Sequence, residues 1–87
     1  MQIWGKLIQD NRMLRDMTVT DDSGDTRTHK IFRALEEICQ AWDLPVPTWL
    51  DINISDFQRH KKTRFTQDSF VGENIDFDYL ELQIIEE

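Results

Sequence analysis

The sequence predicts an α+β fold: an antiparallel sheet of three or four strands with two helices packed on one face, in the order β-β-α-α-(β)-β. Three observations predict it. Apolar, β-favouring segments stand near both ends of the chain, at 2–8 and 77–86. Ile31, Leu35, Ile38 and Trp42 recur at i, i+4, i+7 and i+11, the spacing of a single helical stripe. A Leu44-Pro45-Val46-Pro47 stop then precedes a second helical set, Leu50, Ile54 and Phe57. Strands flanking a pair of helices must share one core with them, which gives a two-layer sandwich.

The first strand covers Gln2 to Ile8, where Ile3, Trp4, Leu7 and Ile8 are apolar. Gly5 inside it marks a bulge or a close backbone approach. Asp10-Asn11 is turn chemistry, because both residues tolerate positive φ. A second strand, Met13 to Thr20, completes a hairpin, with Met13, Met17 and Val19 on one parity and expected in the core. Asp21 to Asp25 is a polar turn. It lacks the alternating acids and distant Glu of a calcium loop, so it reads as a solvated connection.

Asp25 or Thr26 caps the first helix, Thr28 to Trp42. His29, Arg33, Glu36, Glu37 and Gln40 fall on its polar side, while Ala34 and Cys39 flank the stripe. Thr48 is the expected cap of the second helix, with Asp51 completing a capping box, and the helix runs to about Lys61. Ser55-Asp56 is an alternative restart point. Thr63 to Phe70 is a short strand or an ordered loop, and Gly72-Glu73-Asn74 is a turn. In the last strand Leu80, Leu82 and Ile84 alternate with Tyr79, Glu81 and Gln83, apolar inward and polar outward.

Eighty-seven residues make one domain, 1–87, and a chain this short buries only about 60% of its unfolded surface. Homodimerisation is the natural supplement to so small a core. No apolar run reaches the ~20 residues of a membrane span, and the start of the chain has no basic-then-apolar leader, so a cytoplasmic location is expected. The single cysteine, Cys39, excludes an intrachain disulfide and a multi-cysteine zinc site.

Charge is segregated. Residues 1–64 hold ten Lys/Arg and ten Asp/Glu, whereas residues 65–87 hold seven acids and no Lys or Arg, so the net charge of −7 lies in the last 23 residues. An acidic total opposes non-specific coating of nucleic acid. Just before the acidic block comes the run Arg59-His60-Lys61-Lys62-Thr63-Arg64, followed by Phe65. Arg59, Lys61, Lys62, Arg64 and Phe65 form the candidate anion- or partner-binding set: cations to track phosphates and a ring to stack on a base. The competing reading is a helix C-terminus that pairs with the acids following it.

No residue pattern supports catalysis. Cys39 sits beside the apolar stripe, where a thiol behaves as a small hydrophobe, and His29 lies on the opposite side of the same helix. Neither His has ligand spacing to another His or Cys, and the three glycines are too scattered for a phosphate loop. Asp76, Asp78 and Glu81 are paired acids on paper, expected to be solvated at a strand end. No cofactor and no metal site are expected.

Four segments, Ile3-Trp4-Gly5-Lys6, Leu44 to Asp51, Lys62 to Phe70 and Ile75 to Glu81, together give the chain a resemblance. It resembles a family of small uncharacterised proteins from clostridia-type bacteria over most of its length. The resemblance implies no activity, ligand or site residue. The expected function is therefore non-enzymatic: protein–protein contact in the cytoplasm, as a homodimer or with another protein. The alternative is a nucleic-acid accessory role for the Arg59–Arg64 run.

Overall fold

A computed structural model describes residues 1–87. The elements are β1 (Gln2–Gln9), β2 (Arg12–Thr20), α1 (Arg27–Ala41), α2 (Asp51–His60), β3 (Lys62–Phe65) and β4 (Tyr79–Glu86), with a 3-10 turn at Gln67–Ser69. The strands form one four-stranded sheet in the order β2-β1-β4-β3, and every neighbouring pair is antiparallel. Thr63 to Phe70 thus resolves into both expected forms, a four-residue strand and then a 3-10 turn.

Side-chain parity assigns the layers. On β1 and β4 the buried residues Ile3, Leu7, Leu80, Leu82 and Ile84 share one face. Thr63 and Phe65 continue that face across β3. Both helices cover it. Ile31, Ala34, Leu35, Ile38 and Cys39 are the buried stripe of α1, and Asn53 and Phe57 are the buried residues of α2. A single apolar cluster joins sheet and helices.

Gly5 is the point of closest approach between α1 and the sheet. A Cβ built there would lie 2.7 Å from Ile38 Cδ1, so the glycine lets the helix settle onto β1. It is not a bulge. The bulge in this hairpin lies further along, where Leu7 pairs with Arg15 but Ile8 pairs with Met13, leaving Leu14 as the extra residue of β2. That insertion corrects the expected role of Met13. Beyond the bulge the parity reverses, so Met13 stands on the side away from the helices and is 52% exposed. Met17, before it, packs against the core. The turn itself behaves as its residues dictate: Asp10 and Asn11 take φ of 53° and 63°, the left-handed pair that matches hairpin twist.

Thr26 caps α1, its Oγ1 accepting from the His29 N–H at 3.2 Å. The preceding acidic turn is less solvated than its composition suggests. Arg33 of α1 holds Asp21 at 2.6 Å and Asp25 at 2.8 Å, and His29 lies 3.0 Å from Asp25. Arg33 holds the Asp21 carboxyl well below its usual range, and the Thr26 backbone N–H, with His29 and Arg33, lowers that of Asp25 to about 2.

The start of α2 departs from expectation. Leu50, not Thr48, is the N-cap, and Thr48 instead donates its N–H to the Ser69 carbonyl at 2.7 Å. The capping role falls to Asn53, whose Oδ1 accepts from the Leu50 N–H at 3.0 Å. Asn53 is buried, and it makes three more bonds. Ser69 Oγ donates to Oδ1 at 3.1 Å, and Nδ2 donates to Thr63 Oγ1 and the Arg64 carbonyl, both at 3.0 Å. One side chain therefore ties α2 to β3 and to the 3-10 turn. The helix continues through Ser55-Asp56 and ends where Lys61 adopts φ 57°.

Trp49, in the linker before α2, is the aromatic hub of the helical layer. Its ring lies 4.9 Å from Phe65, 5.5 Å from Phe57 and 5.7 Å from Phe32, centroid to centroid. No helix of the chain is long and apolar enough to cross a membrane.

Candidate interaction surface

The second face of the sheet has no helix over it. Its side chains come from the outward positions of all four strands, and the strand register sorts them into rungs. Met13, Ile8 and Tyr79 form an apolar rung across β2, β1 and β4. Asp16, Lys6, Glu81 and Arg64 form the next, across the full width of the sheet. Thr18, Trp4, Gln83 and Lys62 form the third. The middle rung alternates in sign: minus, plus, minus, plus.

Two of the three neighbouring opposite pairs in that rung are closed ion pairs. Lys6 Nζ lies 2.6 Å from Glu81 Oε2, and Arg64 Nε lies 3.2 Å from Glu81 Oε1. The rungs are also cross-braced. Trp4 Nε1 donates to Asp16 Oδ2 at 2.9 Å, and the Lys6 ammonium sits 4.0 Å above the Trp4 ring. Arg64 stacks over Tyr79 with its Cζ 4.6 Å from the ring centroid. Lys6 reaches Gln83 Oε1 as well, at 3.4 Å.

Glu81 is the pivot, and it is only 7% exposed although it sits on the uncovered face. The expectation of a solvated strand-end acid is corrected here, because Lys6 and Arg64 close over the carboxylate from both sides. Burial by itself would raise its pKa. The hydrogen bonds and charges from Lys6 and Arg64 outweigh that penalty and hold Glu81 below the usual carboxylate range. The result is a firmly ionised acid in a neutral, hydrogen-bonded network rather than a proton donor.

The basic run is divided by the fold. Arg64 belongs to the ladder. Lys61 pairs with Glu87 at 2.7 Å, and Arg27 of α1 holds the same carboxylate at 2.7 Å, which lowers the Glu87 pKa to about 2. Arg59, His60 and Lys62 are exposed and contact no carboxylate within bonding distance. Phe65 leaves the candidate set. Its ring is fully buried against Trp49, so it offers no face to a base. A shallow cleft of about 250 Å³ beside the run is lined by Asp56, His60, Lys62, Thr63, Arg64 and Glu81, a set of mixed sign.

Cys39 is fully buried, and burial pushes its thiol up to about 11, which leaves it protonated and inert at neutral pH. His29 is engaged at the surface by Asp25. No group of three or more His, Cys, Asp or Glu is arranged to hold a metal ion.

Trp4, Lys6, Tyr79 and Glu81 were not singled out together by the sequence. The signal was present in two pieces, the outward parity of the first strand and that of the last. Joining them requires knowing that β1 and β4 are neighbours. Comparison with protein-family models, with curated proteins and with solved structures found no match for this chain.

Proposed function

We propose that this chain is a small non-enzymatic protein of the cytoplasm that works through protein–protein contact, and that the uncovered sheet face is the surface it uses. One observation carries the reading. The helix-free face combines half-buried aromatic rings with a central Lys6–Glu81–Arg64 cluster already paired inside the chain, so covering the centre of the face strands none of those three charges, and Lys62, the cation without a carboxylate, lies on an edge strand. Aromatic and Arg side chains are the types enriched at interface centres.

Site-specific photo-crosslinking tests this. A photoreactive residue placed at Thr18 or Lys62, both exposed on this face, yields discrete protein adducts in cells that produce the protein. The same residue at Glu36, exposed on α1, yields none. Equal labelling from both faces, or no adduct from Thr18 and Lys62, refutes the proposal.

The nucleic-acid reading has narrower support. Of its five residues, Lys61 and Arg64 are engaged by carboxylates and Phe65 is buried, which leaves Arg59 and Lys62. Two exposed cations on a chain of net charge −7 make a weak phosphate track.

A further inference from the structure

Resting on that reading, we infer that the partner of the uncovered sheet face is a second copy of this chain, packed face to face about a two-fold axis parallel to the strands. The order of charges along the middle rung carries the inference. From β2 to β3 it runs Asp16, Lys6, Glu81, Arg64. An even-numbered alternating row reversed end to end is its own complement. A two-fold axis parallel to the strands, lying between β1 and β4, performs that reversal. Asp16 then faces the partner's Arg64, and Lys6 faces the partner's Glu81.

The same axis leaves every rung opposite itself. Ile8 of the apolar rung meets the partner's Tyr79, with Met13 beyond the end of the partner's β3, and the rung of Thr18, Trp4, Gln83 and Lys62 meets its own copy. A two-fold axis at right angles, along the rung, fails on both counts. It sets Asp16 on the partner's Asp16 and Lys6 on the partner's Lys6, and it lays the apolar rung over the polar one. Charge order and apolar placement, two separate features of the face, therefore select one arrangement. It is also an ordinary way for sheets to pack, with strands nearly aligned and the layers ~10 Å apart.

Size sets the strength. Three strands of eight or nine residues and a fourth of four, ~4.8 Å apart with ~3.3 Å per residue, give a flat footprint of about 450 Å². Stable interfaces bury about 800 Å² per partner, so the dimer falls among the small, weak contacts, whose association is sought in the micromolar range.

Charge swapping tests the geometry. Sedimentation velocity from about 1 to 500 μM, a range that spans micromolar association, shows the wild-type protein passing from monomer to dimer. Asp16→Arg sets Arg against the partner's Arg64 twice, and Arg64→Asp sets Asp against the partner's Asp16 twice. Each variant alone loses association by roughly 100-fold or more, because like charges face each other across the interface. An equimolar mixture of the two variants forms a heterodimer, since each altered charge now meets its opposite, and the double variant dimerises by itself. Circular dichroism confirms that the variants fold.

A second measurement avoids the ladder. Thr18→Cys and Lys62→Cys lie on the outer strands of the third rung, and the axis brings each against the other of the partner. A short bismaleimide joins a mixture of the two single-Cys variants, and neither variant alone. Cys39 is buried and does not compete. A wild-type protein that stays monomeric overturns the inference. So does a dimer indifferent to both charge reversals, or one lost in the single variants and not regained in the mixture. If photo-adducts form at Thr18 and Lys62 with a different protein while self-association is absent, the second copy is excluded and the protein-binding face stands.

Discussion

Replacing Gly5 by Ala probes the contact that sets the distance between helix and sheet. The added Cβ meets Ile38 Cδ1 at 2.7 Å, Cγ2 at 3.2 Å and Cγ1 at 3.4 Å. Three contacts to one side chain mean that either Ile38 leaves its rotamer or α1 lifts from β1. Ile38 is fully buried, so neither motion has free space to use. Overpacking of this kind costs ~1–3 kcal/mol. Against it stands the smaller unfolded-state entropy of Ala, worth ~0.4–1 kcal/mol. The net loss is about 1–2 kcal/mol, which for a domain of this size lowers Tm by ~4–16 °C.

Ile38→Val removes the Cδ1 that clashes. Alone it costs ~0.5–1.5 kcal/mol through the cavity it leaves. Combined with Gly5→Ala it fills that cavity with the new methyl, so the double variant is more stable than the sum of the single losses by about 1 kcal/mol or more. Urea denaturation of all four proteins measures the cycle. A neutral or stabilising Gly5→Ala, or strict additivity with Ile38→Val, refutes the account of why a glycine stands in the middle of β1.

Asn53→Ala strands the Leu50 N–H and the Arg64 carbonyl and takes a partner from the Thr63 and Ser69 hydroxyls; the expected loss is ~2–4 kcal/mol by chemical denaturation, and a loss under ~1 kcal/mol contradicts its bridging role. Because the folded-state pKa of Glu81 is depressed, its contribution is present above the unfolded value of ~4.3 and fades as pH falls through the folded value. Glu81→Gln therefore flattens the fall in stability below about pH 4.3, and an unchanged slope removes Glu81 from the acid response. Cys39 reacts with a thiol reagent at pH 8 only as fast as the protein opens. Rapid stoichiometric labelling of the native protein counts against its burial.

The architecture was legible because the patterns behind it are local and long. The α1 stripe spans three turns, and the alternation Leu80, Leu82, Ile84 leaves one way to orient β4. Turn chemistry was equally readable at Asp10-Asn11. What escaped the sequence depends on contacts between distant segments. The bulge at Leu14 reverses the side of Met13, and nothing within β2 marks it, because bulges answer to the partner strand. Thr48 looked like a cap by residue type, yet Asn53 does that work through bonds to β3 and the 3-10 turn. The charge ladder draws one residue from each of four strands, so no sequence window contains it. The basic run had the opposite fault: contiguous in sequence, it is dealt out in space to Glu87, to Glu81 and to solvent.

The order β2-β1-β4-β3 gives synthesis a schedule. The β1–β2 hairpin can close as soon as residue 20 is made, but the other edge of β1 waits for a strand that starts at Tyr79. Ile3 meets Ile84 across the centre of the sheet, so the decisive pairing joins residues almost a chain length apart. Such topologies fold slowly, because a long loop must close before its contacts reward it. Until then Ile3, Leu7 and Val19 have no sheet centre to complete their burial, and the nascent hairpin presents an unpaired edge to whatever surrounds it. A stop codon before residue 79 would remove a middle strand and with it the seam between the two halves of the domain.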